Sequence, residues 1–149
     1  MTLTNFRIAA WTLIVFNVVG TVATWTAHLD TPGTGNAHAI ANGTNFTGPV
    51  VFVAVWIAVV LLTMVRGVAR TIAIILMTLF ALGFGFGEVT EFFQSNHGLG
   101  SGRWNIVLAA SGVGLAIAAV TVILGIGCLL TARDGRRQLT APEAGAASR

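Results

Sequence analysis

Residues 105–131 read NIVLAASGVGLAIAAVTVILGIGCLLT, an uncharged run of apolar and small residues held between Arg103 and Arg133. A helix rises about 1.5 Å per residue and a bilayer's hydrocarbon core is about 30 Å thick, so roughly 20 such residues make a crossing. The run exceeds that requirement, and it sets the reading of the whole chain as a membrane protein. Three further segments qualify. Residues 8–27 carry no charge between Arg7 and a polar stretch that opens at His28. Residues 49–65 end at Arg66 and start with a proline, which the first turn of a helix tolerates because its N–H has no partner there anyway. Residues 71–93 are apolar as far as Gly87 and then carry Glu88 and Glu91. The expected fold is all-α: four transmembrane helices, at about 8–27, 49–65, 71–93 and 105–131, in an antiparallel up-down bundle forming one transmembrane domain over 1–131.

Composition agrees and excludes other classes. Of 149 residues, 55% are apolar and 9% charged, against about 25% charged in an average soluble domain. A soluble core is excluded, and with Cys128 as the single cysteine so is an intrachain disulfide framework. The formal charge of +3 comes from eight arginines and five acids. No arginine run with interleaved aromatics forms a nucleic-acid stripe, so nucleic acid is not an expected partner. The first segment is long for the apolar core of a signal peptide, and cleavage after Ala27 would put Trp25 where a small residue is preferred, so an uncleaved helix is expected.

The arginines report orientation, because short cytoplasmic loops are enriched in them. Arg7 precedes the first helix, Arg66 and Arg70 join the second to the third, and Arg133, Arg136, Arg137 and Arg149 follow the fourth, leaving Arg103 alone on the other side. Both termini are therefore expected in the cytoplasm. Trp25 and Trp104 then lie at the outer interface and Trp11 near the inner one, where amphipathic rings prefer to sit. Trp56, mid-helix, is expected to pack against a neighbouring helix.

The outer loop, residues 28–48, is HLDTPGTGNAHAIANGTNFTG, rich in turn formers and longer than the usual connection. It holds two N-x-[ST] sequons, at Asn42 and Asn45. They count for little here, because the arginine-only, Gly- and Ala-rich composition points to a bacterial inner membrane and so to a multi-pass plasma-membrane protein. Residues 132–149 are polar and rich in small residues, and are expected to be a disordered cytoplasmic tail.

All three histidines (His28, His38, His97) and three of the five acids (Asp30, Glu88, Glu91) fall on the outer side, with Arg103. Counting helix rise from Thr71 lifts Glu88 about 25 Å, just inside the outer edge of the lipid core. Glu91 shares its face one turn higher. An outer-leaflet cluster of His28, Glu88, Glu91 and Arg103 follows if those faces turn inward, and such a group would exchange protons or hold a cation. The plainer reading, favoured on sequence alone, is that Glu88 and Arg103 form a structural tie and the others are hydrated. Asn17, Thr21, Thr24 and His28 recur at i, i+4, i+7 and i+11, a polar stripe expected to face the interior. His28, Asp30 and His38 are weak metal-ligand candidates whose spacing matches no compact zinc motif. No haem, thiol-redox, metalloprotease or phosphate-loop pattern is present, and no cofactor is expected. In residues 83–87, GFGFG, the glycines are read as thinning the third helix or kinking it.

The fourth helix carries a small-residue stripe, Ala110, Gly114, Ala118, Thr121, Gly125 and Cys128, suited to close helix packing. Packing within the same bundle is the favoured reading, and docking onto a second copy or another membrane protein the alternative. With no catalytic constellation the chain leans away from an enzyme. Its leading functional expectation is an accessory or interaction subunit of a membrane complex. The alternatives are a small oligomeric transporter or channel with an outer-leaflet proton or cation site, and a membrane-bound metal or redox protein. The orientation is checked by cysteine labelling: in a Cys128→Ser background, Arg66→Cys should react with an impermeant maleimide only when the cytoplasmic face is opened. Labelling of intact cells would invert the topology.

Overall fold

The computed structural model describes residues 1–27, 29, 51–93 and 100–140, with side chains up to residue 133. The described chain is all-helical: α1 (Leu3–Ala27), α2 (Val51–Leu62), α3 (Val68–Glu91) and α4 (Ser101–Thr140). Of these α1, α3 and α4 are long and apolar enough to cross a membrane. α2 is a shorter apolar helix of 12 described residues. It was expected to run to residue 65. Instead it stops at Leu62, because Thr63 turns its hydroxyl back onto the Val60 carbonyl at 2.6 Å and residues 63–65 continue as hydrogen-bonded turns. α4, conversely, continues beyond residue 131 to Thr140, so the first part of the expected tail is helical. Nothing in 132–140 forces an end: it holds no proline, and its one glycine is tolerated inside a helix.

Burial follows a repeat of three and four residues on each long helix. On α1 it takes in Phe6, Ala10, Leu13, Asn17, Gly20 and Thr24, and on α3 Ile74, Thr78, Ala81, Gly85 and Glu88. On α4 it takes in Ser111, Gly114, Ala118, Thr121, Gly125 and Cys128. Alternating spacings of three and four keep one seam of a helix facing its neighbour. α4 packs most extensively on α3 and next on α1, while α2 covers α3 and α1. Small residues set the spacing: a Cβ added at Gly85 would come within 3.3 Å of Ala118 Cβ. The seam of α4 is therefore spent inside the chain. Towards the start of α4 the seam continues through Ser111 to Val107, both fully buried, with Ala110 half-buried and packed against the pair of Leu29 and Val107.

The opposite faces carry Ile8, Val15, Val19, Leu79, Leu82, Val113, Ile123 and Leu130, all exposed. Such an apolar outer surface suits lipid, not water. Threonines are accommodated because their hydroxyls bond their own helix: Thr12 to Ile8 O at 2.9 Å, Thr78 to Ile74 O at 2.7 Å and Thr121 to Ile117 O at 2.9 Å. Aromatic packing holds α2 in place, with the Trp56 ring 6.1 Å from Phe80 and 6.0 Å from Phe84.

Two arginines finish α2. Arg7 of α1 donates through Nε to Thr63 Oγ1 at 3.0 Å and through Nη2 to the Thr63 carbonyl at 2.5 Å. Arg70 donates through Nε to the carbonyls of Thr63 at 3.2 Å and Val65 at 3.1 Å. The end of a helix leaves unsatisfied carbonyls and partial negative charge, which cationic donors offset. Gly67, at φ 78°, makes the left-handed step into α3 that a side chain would strain.

The seam predicts unequal responses to adding one methyl group. At Gly125 a Cβ would sit 3.1 Å from Phe6 Cε2 and against the branched Thr78 side chain, whereas at Gly83 nothing lies within 4 Å. Gly125→Ala should cost about 1–3 kcal/mol through overpacking. Gly83→Ala should be neutral or stabilise by up to about 1 kcal/mol through helix propensity. Thermal unfolding in detergent, followed by circular dichroism, measures the contrast.

Candidate functional site

Three seam positions carry polar side chains that the packing does not satisfy. Asn17 on α1 is fully buried, and among the described residues neither its Oδ1 nor its Nδ2 has a hydrogen-bond partner. Ser111 on α4 is fully buried with Oγ unpartnered, and Glu88 on α3 is 3% exposed with Oε2 unpartnered. Gly114 is the floor on which they meet. A Cβ placed there would lie 2.8 Å from Phe16 Cε1 and 3.1 Å from both Cδ and Oε1 of Glu88. α1 and α3 thus reach α4 at one level. Ser111 is one turn before Gly114 and adjoins Glu88, while Asn17 follows Phe16.

The threonines of the α1 stripe behave differently. Thr21 and Thr24 are buried, but their hydroxyls bond the Asn17 and Gly20 carbonyls, each at 2.9 Å. Such back-bonding satisfies a hydroxyl without a ligand. Asn17 has no equivalent route, because its amide offers both donors and an acceptor. Ser111 had that route and does not use it. An aromatic layer closes the cluster on the Phe84 side: the Phe16 and Phe84 rings meet edge-on, with centroids 6.2 Å apart, and Phe84 continues to Trp56.

Of the cluster expected at the outer mouth, Glu88, Glu91 and Arg103 are among the described residues and His28 is not. Glu91 is half-buried one turn from Glu88 and close enough to act on it electrostatically. Arg103 is exposed, and among the described residues no ion pair joins it to Glu88. Arg103 stands near the start of α4, one turn before Val107, the first fully buried residue of that helix. His28, Asp30, His38 and His97 lie outside the described residues, and so do the two sequons. Among the described residues no three His, Cys, Asp or Glu side chains gather as metal ligands. In the Gly83–Gly87 stretch only Gly85 serves a close approach, since Gly83 and Gly87 have open space beside them.

Sequence reasoning missed Ser111. Its signal was the spacing 111, 114, 118, 121, 125, 128, which a stripe drawn from residue 110 obscures. No protein-family model, curated protein or solved structure matches the chain.

An unsatisfied buried polar group costs about 1–3 kcal/mol. Keeping three at one level is the pattern of a site held at the expense of stability. Asn17→Leu, close to isosteric, and Ser111→Ala should therefore each raise the thermal midpoint in detergent. A lowered midpoint for both would mean that these polar groups are partnered within the fold, by protein or by water, and stabilise it.

Proposed function

We propose that this chain is a multi-pass protein of the plasma membrane, in bacteria the inner membrane, and that it moves a small ion by way of Glu88. Its four helices form an antiparallel up-down bundle with both termini in the cytoplasm. The pairings of Arg7 with Thr63, Phe6 and Thr78 with Gly125, and Glu88 with Gly114 support that direction of travel. So does the location of Arg7 and Arg70 together at the α2 end.

The observation that carries the ion reading is the Glu88 carboxyl. It is buried in a span-length apolar helix, with no cationic partner among the described residues, beside two other unsatisfied polar side chains. Ionisable groups at such depth are expensive, and they characteristically mark ion or proton pathways. Four helices offer little room for alternating access, so a pathway through several copies is part of the proposal. Lipid, and other copies of the chain, are then its partners.

The accessory-subunit reading rested on the α4 stripe and the outer loop. With the stripe spent against α3 and α1, the loop at 28–48 remains its carrier, and a stable partner retained through mild-detergent purification would favour it. The metal or redox reading rests on His28, Asp30 and His38 alone.

Purified protein reconstituted into vesicles tests the ion reading. A potential- or gradient-driven ion flux should fall at least 10-fold in Glu88→Gln and stay unchanged in Arg103→Gln. No flux in the wild-type chain, or a flux indifferent to Glu88→Gln, would remove it.

A further inference from the structure

We infer that Asn17, Ser111 and Glu88 together bind a water molecule, and that the ion this site handles is the proton. The inference rests on the reading of Glu88 as an ion-carrying group and goes on to name the ion.

The donor and acceptor inventory discriminates. A hard metal cation such as sodium or calcium takes oxygen acceptors. Calcium needs about 6–8 of them. Here the unsatisfied atoms are Asn17 Oδ1, Asn17 Nδ2, Ser111 Oγ and Glu88 Oε2. The amide nitrogen is a donor and would be left facing a metal with nothing to give it. A water molecule, by contrast, both donates and accepts, and a buried one makes about three hydrogen bonds (2–4). Asn17 Nδ2 can donate to its oxygen, while Asn17 Oδ1 and Glu88 Oε2 accept its protons. The Ser111 hydroxyl does either. Four polar atoms of mixed type from three helices thus satisfy one water, and through it one another.

Charge points the same way. Glu91 is the one other titratable side chain acting on Glu88 among the described residues. The seam faces of α1 and α4 at this level, Phe16, Asn17, Ser111 and Gly114, carry no charge, and Arg103 is exposed further out. One carboxylate balances one positive charge. A divalent ion would leave an excess charge in an apolar surround, which is costly, whereas a proton on Glu88 leaves none. In the transfer step a proton passes from the bound water's oxygen to Glu88 Oε2 and the water takes a replacement proton from the outer side. Glu88 then gives its proton up to water on the inner side, and no bond to carbon forms or breaks.

The test uses the full chain in vesicles with a trapped pH dye, together with carbodiimide labelling of the detergent-purified protein read by mass. Carbodiimide attacks protonated carboxyls in apolar surroundings. A Glu88 adduct, lost in Glu88→Gln, should form more slowly as pH rises, and 300 mM sodium, potassium or lithium chloride at fixed pH should not slow it. Proton entry should proceed equally in sodium, potassium or choline media. It should fall at least 10-fold in Asn17→Leu and Ser111→Ala and return in Ser111→Thr, which restores the hydroxyl. Sodium protection of Glu88, or a sodium-coupled flux, would overturn the proton and leave the ion reading standing. Proton flux unchanged in both Asn17→Leu and Ser111→Ala would overturn the water site. Absence of any ion flux overturns both readings.

Discussion

The hydrocarbon core of a bilayer offers no hydrogen bonds, so whatever polar group a chain carries into it must find its partner within the chain. Most of this protein obeys that constraint at short range. The backbone is helical throughout the described spans, and threonine hydroxyls fold back onto carbonyls one turn earlier. The carbonyl end of α2, where the second helix stops at Leu62, draws guanidinium donors from two other helices. Against that background the unpartnered atoms of Asn17, Ser111 and Glu88 stand apart. They are seam residues on three helices, whereas the unpartnered Trp25 Nε1 lies off the seam, and their common level makes them a site.

The seam itself comes from residue size. Gly85 against Ala118, Gly114 against Phe16 and Glu88, and Gly125 against Phe6 and Thr78 bring helix backbones close enough for side chains to lock between them. Without a hydrophobic difference between lipid tails and leucine, this fit is what holds membrane helices together. At Gly114 the missing side chain does two things at once. It allows the close approach, and it leaves the space that the Glu88 carboxyl occupies.

Much of this was legible in the sequence, where the governing signal was length or period. The uncharged runs gave α1, α3 and α4, the i, i+4, i+7 recurrence marked Asn17, Thr21 and Thr24 as interior, and Trp56 mid-span had to find another helix. What was not legible depended on rotation about a helix axis or on distant partners. Arg103 and Ser111 are two turns apart on α4, yet one is exposed and the other fully buried. No composition rule separates them, and neither does spacing, since steps of four join 103 to 111 through the fully buried Val107. The early stop of α2 depends on a Thr63 hydroxyl and on Arg7, 56 residues away, and no local propensity reports that. The arginines were read as topological markers, and their second duty as carbonyl donors appeared only with the packing.

That second duty links biogenesis to stability. In the proposed orientation the guanidinium of Arg7 is retained in the cytosol during insertion, and the same group must later reach Thr63. The first helix enters the membrane before its partner has been synthesised, so the carbonyl end of α2 is closed by a residue already waiting there. Adding a positive charge on the outer side of the first helix, which would compete to reverse its insertion, would therefore also deprive the α2–α3 turn of a donor. For this chain, an insertion error and a folding error would be the same event.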